Sequence, residues 1–318
     1  MTTPRAYHLV NVFAETRFGG NPLAVFEDGS GLTDAEMQAI AAQMNLSETV
    51  FLFPPRLPGC DAHVRIFTPG YELPFAGHPT LGSAAMVRRL GRGGDHVQLG
   101  MAAGVFPVRA EGERWQLAAK SPVAQSWVTH THHLAGALGL SPNEVRAARL
   151  IDCGTEQLLV EVCCREAVLN CRPDARLLEA YCRNRQGVAM AYVWHIEQGV
   201  ATVRLFFTHH GQVVEDPGTG SACANLGGWL QLAGKHPLTL RVEQGHALKR
   251  PLTARTPPLL AEHREEGRLD RAGPARLVVH PQVALLIEGD LVLAAEHATP
   301  EAINFRSEAG LCVRYPKR

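Results

Sequence analysis

The chain has 318 residues, long enough for two domains of ordinary size rather than one core. Apolar residues make up 46% and charged residues 19%, with 31 Lys and Arg against 31 Asp and Glu, so the surface is no polyelectrolyte and nucleic acid is excluded as an evident partner. Arg88-Arg89 and Lys317-Arg318 read as solvated charge, Met1–Leu9 carries no leader pattern, and no segment approaches the roughly 20 apolar residues of a membrane span, so a cytoplasmic protein with no membrane partner is expected.

Taken in chain order, Leu9–Phe13 reads as a strand, and Thr33-Asp34-Ala35-Glu36 is a capping box opening a helix through Met37, Ile40 and Met44. Asn45-Leu46-Ser47-Glu48 leads into a strand at Val50–Phe53, and Val64-Arg65-Ile66-Phe67 alternates as a second one. A helix rich in small residues carries Leu81, Ala84, Ala85 and Leu90 and stops at Gly91; Val105–Arg109 is again a strand. Lys120-Ser121-Pro122 breaks the pattern, which divides the chain into halves at 1–122 and 123–318. In the second half Ser141-Pro142-Asn143-Glu144 is another capping box, read as the start of a helix at Val145. Strands follow at Leu158–Val162, Ala189–Trp194 and Val203–Phe206, then a helix with Ala222, Leu226, Trp229 and Leu230 that stops at Gly234. The stretch near 255–274, with Glu262-His263-Arg264-Glu265-Glu266, reads as a charged surface insertion, and Arg276–His280 and Val283–Ile287 are closing strands that cross over between halves.

Eight cysteines, at 60, 153, 163, 164, 171, 182, 223 and 312, form no Cys-x-x-Cys pair and have no His at zinc-ligand spacing, so free thiols in a reducing compartment are expected. Cys163-Cys164 follows a strand-like run and reads as core packing. The neighbouring pairs His132-His133 and His209-His210 form no ligand set by themselves, and no phosphate-cradling loop is present; neither metal nor cofactor is expected.

The most informative feature is an internal repeat. Arg65-Ile66-Phe67-Thr68 is followed by Gly77-His78-Pro79-Thr80-Leu81-Gly82-Ser83-Ala84, and Arg204-Leu205-Phe206-Phe207 by Glu215-Asp216-Pro217-Gly218-Thr219-Gly220-Ser221-Ala222. His78 lies 13 positions beyond Arg65 and Asp216 lies 12 beyond Arg204, so one deletion aligns His78-Pro79 with Asp216-Pro217. Each copy reads as strand, Pro/Gly turn, helix. A helix N-terminus opened by glycine offers backbone N–H groups and a positive dipole end to a carboxylate, and two such termini about a pseudo-twofold axis would share one cleft. Around that anion the side chains differ: His78 in one turn; Glu215, Asp216 and Ser221 in the other; and Glu48 at the helix-to-strand junction, where apolar neighbours favour acid/base work.

Phe18-Gly19-Gly20-Asn21-Pro22-Leu23-Ala24-Val25, Asn45-Leu46-Ser47-Glu48-Thr49, Pro74-Phe75-Ala76-Gly77-His78-Pro79-Thr80-Leu81-Gly82 and Glu215–Ala222 together resemble the phenazine-biosynthesis (PhzF-like) isomerase family, from about residue 8 to about 290. The resemblance implies the diaminopimelate-epimerase fold, an α+β chain of two pseudo-symmetric domains, each a curled, mostly antiparallel sheet around a central helix. It implies Glu48 as the proton-transferring group, His78, Asp216 and Ser221 as its catalytic partners, Gly77 and Gly220 at the substrate's carboxylate with Asn21 and Thr219 as further substrate-binding residues, and a homodimer. Related two-thiol racemases carry a Cys in each half; neither turn has one here, and Cys223 reads as packing. Gln244-Gly245-His246-Ala247-Leu248-Lys249-Arg250-Pro251-Leu252 and Thr208-His209-His210 depart from the family pattern and bear on substrate identity.

The reading that follows is a cofactor-independent isomerase moving a proton on a small, cyclic carboxylic or amino acid. Its rivals are a non-catalytic small-molecule-binding or interaction member of the same fold, and an epimerase or dehydratase using Glu48 and Asp216 as opposed bases.

Overall fold

The computed structural model describes residues 4–14, 18–125, 129–235 and 240–249, together with the backbone of the strands at 252–256, 276–279 and 282–291. The expected insertion near 255–274, apart from the strand that ends at Thr256, lies outside the described residues, as do Cys312 and Lys317-Arg318. The chain forms two compact units: one from residues up to Val12, Pro22–Arg109 and the segment from Gln282 on; the other from Phe13–Asn21 and Ala110–Pro281.

The first unit opens with β1 (Arg5–Ala14), which leaves it at Phe13, a bulky residue in the left-handed region with φ 64°. There follow β2 (Asn21–Phe26), α1 (Asp34–Met44), β3 (Thr49–Phe53), β4 (Ala62–Phe67), β5 (Glu72–Leu73), α2 (Gly77–Arg89), β6 (His96–Met101) and β7 (Gly104–Glu111). Thr33 and Glu36 close the expected capping box, and α1 buries Met37, Ile40 and Ala41 against Phe26, Phe51, Phe53 and Phe67. Each large side chain removed from water this way contributes about 1.5–3 kcal/mol. The helix ends at Asn45, left-handed at φ 51°, a conformation that Asn tolerates better than most residues. Sheet order follows from the pairings: β2 runs parallel to β3, β3 antiparallel to β4, β4 antiparallel to β5 and parallel to β6, and β6 antiparallel to β7. α2 is buried from His78 to Val87, so it is the core of the unit rather than a cover on it. Gly82 permits that approach, since a Cβ there would lie 2.5 Å from Leu23 Cδ2.

The second unit contains β8 (Arg114–Ala118), β9 (Val123–Gln125), α3 (Thr131–Leu138), β10 (Val145–Asp152), β11 (Glu156–Val162), α4 (Arg165–Asn170), α5 (Ala175–Tyr181), β12 (Met190–Glu197), β13 (Val200–His209), β14 (Gln212–Asp216), α6 (Gly220–Leu232), β15 (Leu240–Gln244), β16 (Leu252–Thr256) and β17 (Arg276–Val279). The final β18 (Gln282–Leu291) belongs to the first unit and pairs with β1. The pairing scheme repeats: β11 parallel to β12, β12 antiparallel to β13, β13 antiparallel to β14 and parallel to β15, and β15 antiparallel to β16. α6 takes the central place of α2, buried along most of its length, and α3, α4 and α5 supply a second apolar layer with Leu134, Val168 and Leu178. No helix of the described residues is long and apolar enough to cross a membrane.

Two expectations are corrected. The capping box at Ser141–Glu144 forms, but it closes only a single 3₁₀ turn (Pro142–Glu144), because Val145 onward pairs with β11 and the sheet takes the segment. The repeat also has a different register. Arg65 forms a bidentate ion pair with Glu72, seven residues on (2.7 and 2.6 Å), and Arg204 forms the same pair with Glu215, eleven residues on (3.0 and 2.7 Å). Glu72 therefore matches Glu215, Leu73 matches Asp216, Pro74 matches Pro217, and Gly77, the first residue of α2, matches Gly220, the first of α6. His78 pairs with Ser221 rather than with Asp216. The longer β13–β14 hairpin absorbs the extra residues, where the sequence alignment instead needs a single deletion in that loop.

Candidate active site

In the first unit the turn from α1 into β3 places Glu48 one residue ahead of the strand, and the N-terminus of α2 places His78 beside it. His78 Nδ1 lies 3.3 Å from Glu48 Oε2, with the side chains 5% and 16% exposed. Loss of solvent pushes the His78 imidazole down to about 3, against the opposing effect of the Pro22 carbonyl that accepts its hydrogen bond. The ring is therefore neutral at physiological pH, and its contact with Glu48 joins a neutral imidazole to a carboxyl group rather than making an ion pair. A neutral ring carries one donor and one acceptor, so it can pass a proton as well as hold one.

The repeat register shows how unequal the units are here. Phe51 faces Arg65 across β3 and β4, and Val193 faces Arg204 across β12 and β13. Stepping back along each strand brings Glu48 into register with Met190, a side chain that cannot titrate.

In the second unit Asp216, at the end of β14, is held by Asn21, whose Nδ2 donates to Asp216 Oδ1 at 3.1 Å and to the Gly218 carbonyl at 2.9 Å. The Thr219 hydroxyl donates to the other oxygen of the same carboxyl group. Asn21 is fully buried, so its amide is committed to shaping the turn. Gln244 closes the assembly: its Nε2 donates to the Asp216 carbonyl at 2.9 Å and to Thr219 Oγ1 at 3.1 Å, and its Oε1 accepts from the Thr219 N–H at 3.2 Å. Ser221, second residue of α6, accepts a hydrogen bond from Gln157 at 3.1 Å. Neither α2 nor α6 has a side-chain cap at its N-terminus, in contrast to α1; Ala76 has no polar side chain to offer and Thr219 turns its hydroxyl to Asp216.

The eight expected residues thus fall into two groups, Glu48, Gly77 and His78 in the first unit, and Asn21, Asp216, Thr219, Gly220 and Ser221 in the second. Sequence reading missed Gln157, which lies 64 residues from Ser221, and Asn225, on α6 with Ser221 but 68 residues from the Gln157 it bonds, with no local signal for the pairing. Gln244 was visible only as the first residue of a family motif that this chain departs from. Cys223 and Cys153 are buried free thiols pushed up to about 12 by burial, Cys223 inside α6 as expected and Cys153 under it.

Two sheets with repeated topology, each curled around a buried helix that opens at a glycine, define a two-domain α+β protein of the epimerase-like class. The family described as phenazine biosynthesis-like protein (PhzC-PhzF) matches residues 10–278, and the chain belongs to it. It is 42% identical over 252 residues to an uncharacterised isomerase of Pasteurella multocida, covering 79% of this chain and 86% of that one. It is 33% identical over 273 residues to the trans-2,3-dihydro-3-hydroxyanthranilate isomerase of Pseudomonas chlororaphis, covering 83% and 92%. The crystal structure of a PhzF-family phenazine biosynthesis protein from Bacillus anthracis shares the fold with a TM-score of 0.79 at 21% identity, over 92% of this chain and all of that one.

Proposed function

We propose that this chain is an isomerase that relocates a proton on a small cyclic carboxylic or amino acid without a cofactor, with Glu48 as the group that takes and returns the proton. The observation that carries the reading is the buried contact of Glu48 with a neutral His78, set against Met190 at the repeat-equivalent place. One half of a doubled scaffold has an acid/base pair where the other has an inert side chain, as a reaction with a single proton-transferring group requires. His78 relays the proton. In the second unit Asp216, fixed by Asn21 and Thr219, and Ser221 are the candidates for the substrate's polar groups, and in each unit the uncapped amide that opens the central helix, Gly77 or Gly220, is a candidate for its carboxylate. The substrate class rests on the relative that isomerises trans-2,3-dihydro-3-hydroxyanthranilate.

The test is turnover of that compound in deuterated water. Wild-type protein is expected to incorporate deuterium at carbon, and Glu48→Gln to lose roughly 10²–10⁴-fold of that rate while keeping its circular dichroism spectrum. An undiminished rate in Glu48→Gln ends the assignment.

A further inference from the structure

The repeat isolates a buried polar pair that the fold itself does not need. In the first unit Leu23 is fully buried and lies against Gly82, the sixth residue of α2. Val25 faces Val50 and Leu159 faces Tyr192 in the two parallel pairings, which brings Leu23 into register with Gln157. The sixth residue of α6 is Asn225. A leucine against a glycine in one unit is thus a glutamine against an asparagine in the other, with Gln157 2% exposed and Asn225 0%. Burying two carboxamides where an apolar pair suffices is costly unless their polar atoms are paired.

They are paired, and only one orientation satisfies them. The Cys153 N–H, which can only donate, gives its proton to Asn225 Oδ1 at 2.8 Å. The Thr155 carbonyl, which can only accept, takes one from Asn225 Nδ2 at 2.8 Å. Those two backbone groups fix which end of the Asn225 amide is which. Asn225 Nδ2 also donates to Gln157 Oε1 at 2.8 Å, which fixes the Gln157 amide in turn, so that its Nε2 faces Ser221 Oγ at 3.1 Å as a donor. Ser221 is therefore the acceptor in that bond, and its own proton points elsewhere.

We propose that Asn225 and Gln157 are positioning residues that hold Ser221 as a hydrogen-bond donor, so that the substrate group meeting it is an acceptor oxygen, in the proposed substrate class the carboxylate. The polarity originates in the backbone at Cys153 and Thr155 and travels through two side chains to the site. This assignment rests on Ser221 acting in the reaction proposed above.

Two measurements test it. In ligand-free protein the Gln157 side-chain amide resonances, identified by their loss in Gln157→Met, are expected to shift in Ser221→Ala and to stay in place in Glu48→Gln. Unmoved resonances in Ser221→Ala overturn the relay, whatever the activity. In calorimetric titration with anthranilate, Gln157→Met is expected to weaken binding about tenfold, the scale of one hydrogen bond to a charged group, and to add nothing in a Ser221→Ala background. A loss of equal size in that background means that Gln157 does not act through Ser221, and overturns the proposal. If Gln157→Met fails to fold, Gln157→Glu keeps the shape, draws the Ser221 proton inward and gives the same weakening. Wild-type protein that ignores anthranilate counts against the reaction reading alone, since the resonances still decide the relay.

Discussion

The two units are built to one plan and carry different side chains at the same places. Both have a parallel strand pair, a hairpin carrying a bidentate Arg–Glu pair, and a buried helix opening at a glycine without a side-chain cap. They part company at the side chains around those helix starts: Glu48 against Met190, His78 against Ser221, Leu73 against Asp216, Leu23 and Gly82 against Gln157 and Asn225. A scaffold can be duplicated because hydrogen-bonded strands and a buried helix tolerate many side chains, whereas proton chemistry depends on which side chain stands at a few positions.

The largest expected effect breaks the comparison at its sharpest point. Glu48→Gln should cost deuterium incorporation roughly 10²–10⁴-fold, while Met190→Gln, the matching change in the other unit, should leave the rate within about threefold. Comparable losses in both would mean that the units share the chemistry.

Next comes the repeated ion pair. Arg204 and Glu215 have side chains 6% and 10% exposed, and Arg204 also donates to the carbonyls of Val168, Leu169 and Cys171; Arg65 pairs with Glu72 at 37% and Asp34 at 84% exposure. Arg204→Leu leaves a buried carboxylate and several carbonyls without their partner and should cost about 3–5 kcal/mol in urea unfolding. Arg65→Leu strands carboxylates that water reaches and should cost about 1 kcal/mol. Equal costs would show that burial does not separate the pairs.

The last effect is a pH dependence that His78 gives the first unit. His78 takes its proton at about 3 in the folded chain and near 6.5 when unfolded. The unfolded state therefore binds the extra proton between those values, and stability falls on acidification by about 1.4 kcal/mol per pH unit within that window, with no contribution above it. Unfolding curves at pH 7, 6 and 5 should show a flatter decline in His78→Asn than in wild type, and an unchanged decline in Ser221→Ala.

Much of this organisation is legible in the residues. Alternating apolar runs marked the strands, the Thr33–Glu36 capping box marked α1, and Gly91 and Gly234, both left-handed, marked the ends of the two central helices. The same local signal misled at Ser141–Glu144, where the capping box forms but pairing of Val145–Asp152 with β11 takes the chain into the sheet. The repeat was visible and its register was not. Matching Gly82-Ser83-Ala84 with Gly220-Ser221-Ala222 rewards small residues that helices share for packing, while the true register is set by strand hydrogen bonds and the Arg–Glu pairs.

The sequence by itself determined the family and the α+β repeat, and singled out Glu48, His78, Asp216 and Ser221 as candidate positions, because motif, period and capping are properties of neighbouring residues. Only the tertiary structure decided that His78 corresponds to Ser221, that Asn21 and Gln244 shape the Asp216 turn, and that Gln157, itself held by Asn225, donates to Ser221. Those facts depend on hydrogen bonds between residues 25 to 195 positions apart or on strand register, and neither leaves a trace in local sequence.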